Sequence, residues 1–187
     1  VCQAQALGVG QKRCASRDLA RPFHGIRSVE APETFDAMVA AYRPRMRGAQ
    51  LISGMSALRL WRLPVPRSWR ASDPLEVVVP LGAQPPRVRG VRGRRVLRDR
   101  VQSYRLDGIP AVDPISAVFL AAPRLSTDQL IVVLDALITD ADNFPGRRPE
   151  RPVITTATVE RHLERWGRFP GCAQVRLALA QVREHVE

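Results

Sequence analysis

Apolar residues recur at helical spacing in five stretches of the chain. The first two lie in residues 31–46 and 53–63, and prolines end both of them. The third, residues 126–140, opens with the N-cap candidate Ser126, and the last two cover residues 155–166 and 171–187. A sixth helix is predicted after Asp113, an N-cap followed by Pro114. The predicted buried stripes are Phe35, Met38, Val39 and Tyr42; Met55, Leu58 and Trp61; Leu130, Val133, Leu134 and Leu137; Val159, Leu163 and Trp166; and Val175, Leu179 and Val182.

Between these helices the pattern changes to that of a small sheet. Residues 75–80, LEVVVP, form a β-branched run between prolines, which is the clearest strand signal in the chain. Residues 87–113 predict two or three further strands, with Asp107 and Gly108 as a turn. A sheet is therefore expected across residues 75–112. Residues 141–153 are rich in proline and predict a surface loop or linker.

The first 29 residues show a different order of elements. Residues 1–8 are typical of the tail of a helix that ends at Gly8, and residues 10–20 predict a second short helix. Residues 22–29 alternate between apolar and polar, which favours a strand. Helix, turn, basic helix and strand is the order found in the later part of a winged helix-turn-helix. The predicted fold is α+β, with a partial winged helix-turn-helix over residues 1–29, followed by a small, mostly antiparallel sheet packed with several helices over residues 30–187.

The net charge of the chain indicates what kind of partner it binds. The chain has 29 Lys and Arg residues against 18 Asp and Glu, a net charge of +11 and a pI of about 11.2. Such a field attracts polyanions, and nucleic acid is the first partner to consider. Lys12 is the only lysine. Arginine binds phosphate and guanine through a bidentate fork, although a GC-rich genome produces the same preference for arginine without explaining the charge excess.

The basic helix of the opening segment is the first candidate DNA contact. Gln11, Arg13 and Arg17 follow helical spacing, so one exposed side of the helix is expected to read bases, with Gln11 on adenine and an arginine on guanine. Phosphates would be held by Lys12, Arg21 and Arg27, with His24 near the tip of the wing. A solvated helix whose charges only keep the protein soluble would show the same residues.

A second basic patch follows in residues 87–98. It comprises Arg87, Arg89, Arg92, Arg94, Arg95 and Arg98. On a strand Arg92 and Arg94 share one face and Arg95 points to the other. The pattern is typical of an exposed hairpin that touches phosphate, RNA or an acidic partner, and equally of a sheet edge protected from aggregation.

Candidate catalytic and metal-binding residues are few. Asp73 and Glu76 stand in a suggestive order for a nuclease, but valines follow where a lysine is needed. Glu76 is instead expected on the exposed face of an edge strand. His24, His162 and His185 are isolated, and Cys14 and Cys172 have no adjacent base. The sequence predicts no catalytic residue, no metal site and no cofactor.

Location is predicted from cysteines and hydropathy. Cys2, Cys14 and Cys172 are odd in number and far apart, which fits a reducing compartment. No apolar run approaches the roughly 18 to 20 residues of a membrane span, and the start shows no signal-peptide pattern. A cytoplasmic protein without membrane association is expected. Val1 in place of Met indicates a trimmed or fragmentary chain, or a non-standard start codon.

Seven loose motifs follow one another in a distinctive order along nearly the whole chain. They are ALGVG with RDLARPFHGIR, LISGMSALRLWRLPVP, LEVVVP, VRGRRV, LDGIPAVDPISAVFLAA, LIVVLDALI and GCAQVRLALAQV. In this order the chain resembles the AbiEi-like antitoxin family of type IV toxin-antitoxin systems, and the related N-terminal regions of actinobacterial proteins that carry a very-short-patch-repair-like endonuclease domain.

The resemblance implies a DNA-binding transcriptional regulator that represses its own operon and counters a nucleotidyltransferase-like toxin through residues 30–187. Double-stranded DNA and a cognate toxin would be its partners, and no enzyme activity is expected. The sequence departs from this pattern in its short winged helix. Two alternatives remain: a non-catalytic accessory region of a truncated endonuclease, whose terminal helices would dock a missing C-terminal domain, and a stand-alone protein-interaction domain.

Overall fold

The computed structural model describes residues 2–139 and 148–182. Within these ranges the chain is an α+β protein in which one five-stranded sheet is packed with helices, as the sequence predicts. The strands are β1 Leu51–Ile52, β2 Leu75–Pro80, β3 Val91–Val96, β4 Ser103–Leu106 and β5 Ile109–Val112. Their order across the sheet is β3, β2, β1, β5, β4.

The sheet contains both strand directions. β1 with β2 and β4 with β5 are antiparallel, whereas β2 with β3 and β1 with β5 are parallel. Asp107 and Gly108 form the predicted turn between β4 and β5, with φ values of 51° and 75°. Two residues with positive φ are what a tight hairpin requires. The arginine-rich strand β3 lies at one edge of the sheet.

Eight α-helices occur in the described ranges, and two of them begin at the N-caps that the sequence predicts. Asp113 accepts the backbone N–H of Ser116 at 2.8 Å, and Ser126 forms a reciprocal capping box with Gln129. These bonds satisfy backbone donors that the first helical turn leaves free. The helices are α1 Cys2–Ala6, α2 Gln11–Ala15, α3 Phe35–Tyr42, α4 Gly54–Leu60, α5 Pro114–Ala121, α6 Thr127–Ile138, α7 Thr156–Trp166 and α8 Cys172–Leu179.

The predicted apolar stripes form the core. Most of their residues are buried, while Phe35, Met38, Met55 and Val182 are partly buried and pack against the core. Trp166 of α7 packs edge-on against Phe119 and donates its indole N–H to the carbonyl of Arg100 at 2.7 Å. The stripes of α7 and α8 are therefore internal rather than open docking faces.

Three local predictions are corrected. Residues 22–29 do not form a strand, because only Ala20 and Ser28 pair, and the chain between them arches to bury Phe23. The second helix ends at Ala15, since the Ser16 hydroxyl and Arg13 bind the Asp18 carboxylate and close a turn beyond it. The last helix ends at Leu179. Residue 140 at the end of the predicted third helix, residues 141–147 of the predicted loop, and residues 183–187 with His185 lie outside the described residues.

Candidate nucleic-acid interface

Helix α2 presents the opening basic residues to solvent. Gln11, Lys12 and Arg13 are exposed, whereas Cys14 is buried. Arg17 is also exposed, but it lies in the turn after the helix, so it does not continue the expected row. Gln11 and Arg13 are two positions apart in α2, which places them roughly 200° apart around the helix axis. Lys12 and Arg17 form no hydrogen bond or ion pair with other described residues, so their charges are available to a ligand.

Asp18 neutralises part of this surface. Its carboxylate accepts a hydrogen bond from the Ser16 hydroxyl and lies 2.6 Å from Nη1 of Arg13. The Ser16 hydroxyl and the Arg13 guanidinium hold the pKa of Asp18 below its usual value. The pair is about half exposed, so phosphate can compete with Asp18 for Arg13.

The arch formed by residues 20–28 carries the next group of predicted contacts. Arg21 and His24 are exposed on either side of the buried Phe23. Arg27 is partly buried, and its Nε donates to the carbonyl of Cys14 at 3.0 Å. Arg21 reaches the carbonyl of Ala15 at 3.4 Å. These bonds tie the arch to the end of α2, so Arg27 has a structural role in addition to its predicted phosphate contact.

Phe23 joins this arch to the second basic patch. Its ring packs on Tyr42 with 5.0 Å between centroids. It also lies beside Gly90, where an added Cβ would stand 3.5 Å from Cε1 of Phe23. Gly90 directly follows Arg89 and precedes β3. The arch that carries Arg21 and His24 therefore packs against the backbone at the start of the second basic patch.

Strand β3 and the residues around it carry the second basic patch. Its six predicted arginines are all exposed, and residues 81–98 contain no acidic side chain. Arg95 donates to the carbonyl of Ala83 at 3.1 Å and so binds the preceding loop. Arg92 lies 3.8 Å from the carboxylate of Glu76. The side chains of Arg87, Arg89, Arg94 and Arg98 form no hydrogen bond or ion pair with other described residues.

Two further arginines belong to this surface and were missed in the sequence. Arg45 and Arg47 follow α3, and Arg45 donates from Nη1 to the carbonyl of His24 at 2.8 Å. Both line a cleft together with Arg87. Residues 43–47, RPRMR, have three arginines at alternate positions and no acidic residue, and this pattern could have indicated the basic surface.

The acidic residues considered for nuclease chemistry are both engaged by arginines. Asp73 accepts two hydrogen bonds from Arg67, at 2.8 and 3.0 Å, which with the backbone N–H of Arg70 hold its pKa below the usual value. Glu76 is only 6% exposed on the interior strand β2, so the expectation of an exposed edge position is wrong. Its carboxylate pairs with Arg124 and accepts the N–H of Met55 at 3.1 Å. Arg124 lies 48 positions from Glu76 in the chain, so the local sequence pattern could not predict this pair.

Among the described residues, no three His, Cys, Asp or Glu side chains come together as a metal site. Cys14 is buried and Cys172 is partly buried, and each donates weakly to a backbone carbonyl. None of the described helices has the length and apolar character needed to cross a membrane.

No family model matches the chain, and no curated protein or solved structure matches it significantly. The candidate interface is therefore defined by its own geometry: α2, the arch of residues 20–28, the RPRMR turn and β3.

Proposed function

We propose that this protein is a DNA-binding transcriptional regulator of the AbiEi antitoxin type, which represses its own operon and counters a nucleotidyltransferase-like toxin. The observation that supports the DNA-binding part is the packing of Phe23, in the arch that carries Arg21 and His24, beside Gly90 of the second basic patch. The antitoxin part is supported by the resemblance in the order of motifs. A regulator of this kind acts in the cytoplasm.

The exposed cations of β3 fit a phosphate backbone. Alternate residues on a strand lie about 7 Å apart. This spacing is about twice the roughly 3.4 Å axial rise between phosphates of one DNA strand. Arg92 and Arg94 of β3 share one face at this spacing. Each phosphate that such a side chain neutralises releases counterions, so binding should be strongly salt-dependent.

Residues of α2 would contact the DNA bases. Gln11 and Arg13 are exposed there, and Gln and Arg are the side chains that form bidentate contacts with adenine and guanine. Sequence recognition would come from these two residues, and Lys12, Arg17, Arg21 and His24 would position the duplex without reading it.

Fluorescence anisotropy with a duplex from the region upstream of the gene, and with a shuffled duplex, tests the proposal. We expect at least about tenfold preference for the upstream duplex, as one good base contact provides. Gln11→Ala with Arg13→Ala should abolish the preference and leave the weaker, salt-dependent binding. Arg168→Ala, at an exposed position just after α7, is the control for loss of one charge. Equal affinity of the unaltered protein for both duplexes would reject the regulator, and retained binding of a protein partner without DNA binding would select an interaction domain.

A further inference from the structure

A cleft of about 440 Å³ opens where the RPRMR turn faces the segment that leads into β3. Its volume lies within the roughly 300 to 1,000 Å³ typical of small-molecule sites. No acidic residue lines it. The lining residues used below are Tyr42 and Gln50 on the floor, Arg45, Arg47 and Arg87 at the rim, and apolar walls that include Pro85 and Pro86.

The floor presents one hydrogen-bond donor. Tyr42 is fully buried and Gln50 is 7% exposed. The Tyr42 hydroxyl lies 3.1 Å from Oε1 of Gln50. Because burial raises the pKa of Tyr42, its phenol stays protonated and donates to that oxygen. The amide nitrogen of Gln50 is left with no partner among the described residues, in a residue that lines the cleft.

The rim carries three positive charges. Arg45 uses Nη1 to hold the carbonyl of His24, which fixes the guanidinium in place and leaves its other nitrogens available. The side chains of Arg47 and Arg87 are exposed and form no hydrogen bond or ion pair with other described residues. Three guanidinium groups around one opening suit a phosphate, whose oxygens accept several bidentate bonds.

We propose that this cleft binds a nucleoside 5′-monophosphate, with the phosphate on Arg45, Arg47 and Arg87 and the base between the apolar walls. The amide nitrogen of Gln50 donates to an acceptor atom on the edge of the base. The site differs from the phosphate-backbone contacts proposed above, because it recognises a base, a sugar and a terminal phosphate together. It does not require that the protein bind duplex DNA. The ligand is either a free nucleotide or the 5′-phosphorylated end of a strand, which share this chemistry.

Isothermal titration calorimetry of the full chain with AMP, GMP, CMP and TMP tests the site, with adenosine and inorganic phosphate as fragments. At least one monophosphate should bind one-to-one and about tenfold more tightly than either fragment. Arg47→Ala with Arg87→Ala should weaken that binding by at least about tenfold, because two charged hydrogen-bond donors are lost. Gln50→Leu should weaken monophosphate binding and leave inorganic phosphate unchanged.

The matched control is Arg94→Ala with Arg98→Ala, which removes the same charge at exposed positions outside the cleft. Its affinity for the monophosphate should stay within about twofold of the unaltered protein. The proposal is overturned if no monophosphate binds more tightly than inorganic phosphate, or if both double variants lose affinity equally. Duplex binding by the same preparations reports the regulatory function separately, so failure of the cleft and failure of that function are distinguishable.

Competition identifies the source of the ligand. A duplex with a one-nucleotide, 5′-phosphorylated overhang should displace the bound monophosphate if the cleft takes strand ends, while a blunt, unphosphorylated duplex should not. If neither duplex displaces it, the ligand is a free nucleotide. Both results support the site. Equal displacement by the blunt duplex would attribute the binding to the general phosphate surface and overturn the proposal.

Discussion

Phe23 packs beside Gly90, 67 positions later in the chain, and this contact joins the two basic regions. Gly90 has a φ of +82°, a conformation that favours glycine, so the backbone before β3 can turn past the ring. Because Phe23 also packs on Tyr42 in the core, the arch of residues 20–28 is anchored to the sheet-bearing part of the protein.

Replacing Phe23 tests that anchoring. Phe23 is 3% exposed, so Phe23→Ala should lower the free energy of unfolding by about 3 kcal/mol through lost burial and an unfilled cavity. Phe23→Leu should cost about 1 kcal/mol, since most of the volume is kept. Urea unfolding followed by circular dichroism measures both. A Phe23→Ala protein as stable as the unaltered one would mean that the arch is not part of the core.

Gly54 and Glu76 give a second prediction about stability. Gly54 has a φ of +52°, and an added Cβ would lie 2.1 Å from Oε2 of Glu76. Gly54→Ala should therefore strain the backbone and displace the carboxylate from Arg124 and Met55, with a loss of about 3 kcal/mol or more. Gly48→Ala is the control, since its φ is not positive and nothing lies within 4 Å of its added Cβ.

The double variant shows whether the two residues act together. Glu76→Gln leaves the partly buried Arg124 without its charge partner and should itself cost about 2 kcal/mol, less than a fully buried pair because Arg124 is 30% exposed. Gly54→Ala with Glu76→Gln should then cost clearly less than the sum of the two single changes, because both break the same contacts. Additive losses would contradict this coupling.

Patterns among residues close together in the chain predicted much of the fold. The caps at Asp113 and Ser126, the turn at Asp107 and Gly108, and the strand LEVVVP were all predicted, because each depends on residues adjacent in the chain. The α7 and α8 stripes were likewise predicted as mainly core, and their burial confirms it.

The errors share a different physical origin. Residues 22–29 alternate like a strand, yet the burial of Phe23 against Tyr42 decides their path. Glu76 is polar in a strand that is otherwise buried, and only its pairing with Arg124 makes that position tolerable. Contacts between residues this distant in sequence leave no periodic signal. The sequence predicted part of the candidate site, because an exposed arginine can be recognised without knowing which distant residues it contacts.

Asp73 gives a prediction about pH. Its pKa is lowered by hydrogen bonds from Arg67 and from the backbone N–H of Arg70. A lowered pKa in the folded state means that the carboxylate stabilises the fold above its unfolded pKa of about 4, and that this contribution is lost as pH falls through the folded pKa. Asp73→Asn should therefore be less stable than the unaltered protein at pH 6, with the difference shrinking towards pH 2. Chemical unfolding measured between those pH values checks it, and a constant difference would exclude the ion pair as the cause.

The measurement that tests the central claim most directly is the salt dependence of duplex binding in four proteins. They are the unaltered chain, Lys12→Ala with Arg17→Ala, Arg87→Ala with Arg89→Ala, and all four changes together. If both basic regions contact one duplex, each pair should reduce the slope of log affinity against log salt concentration by about 1.8, and the combination by about 3.6, with one-to-one binding throughout. A slope that falls with one pair and is unchanged by the other would contradict a single continuous DNA-binding surface.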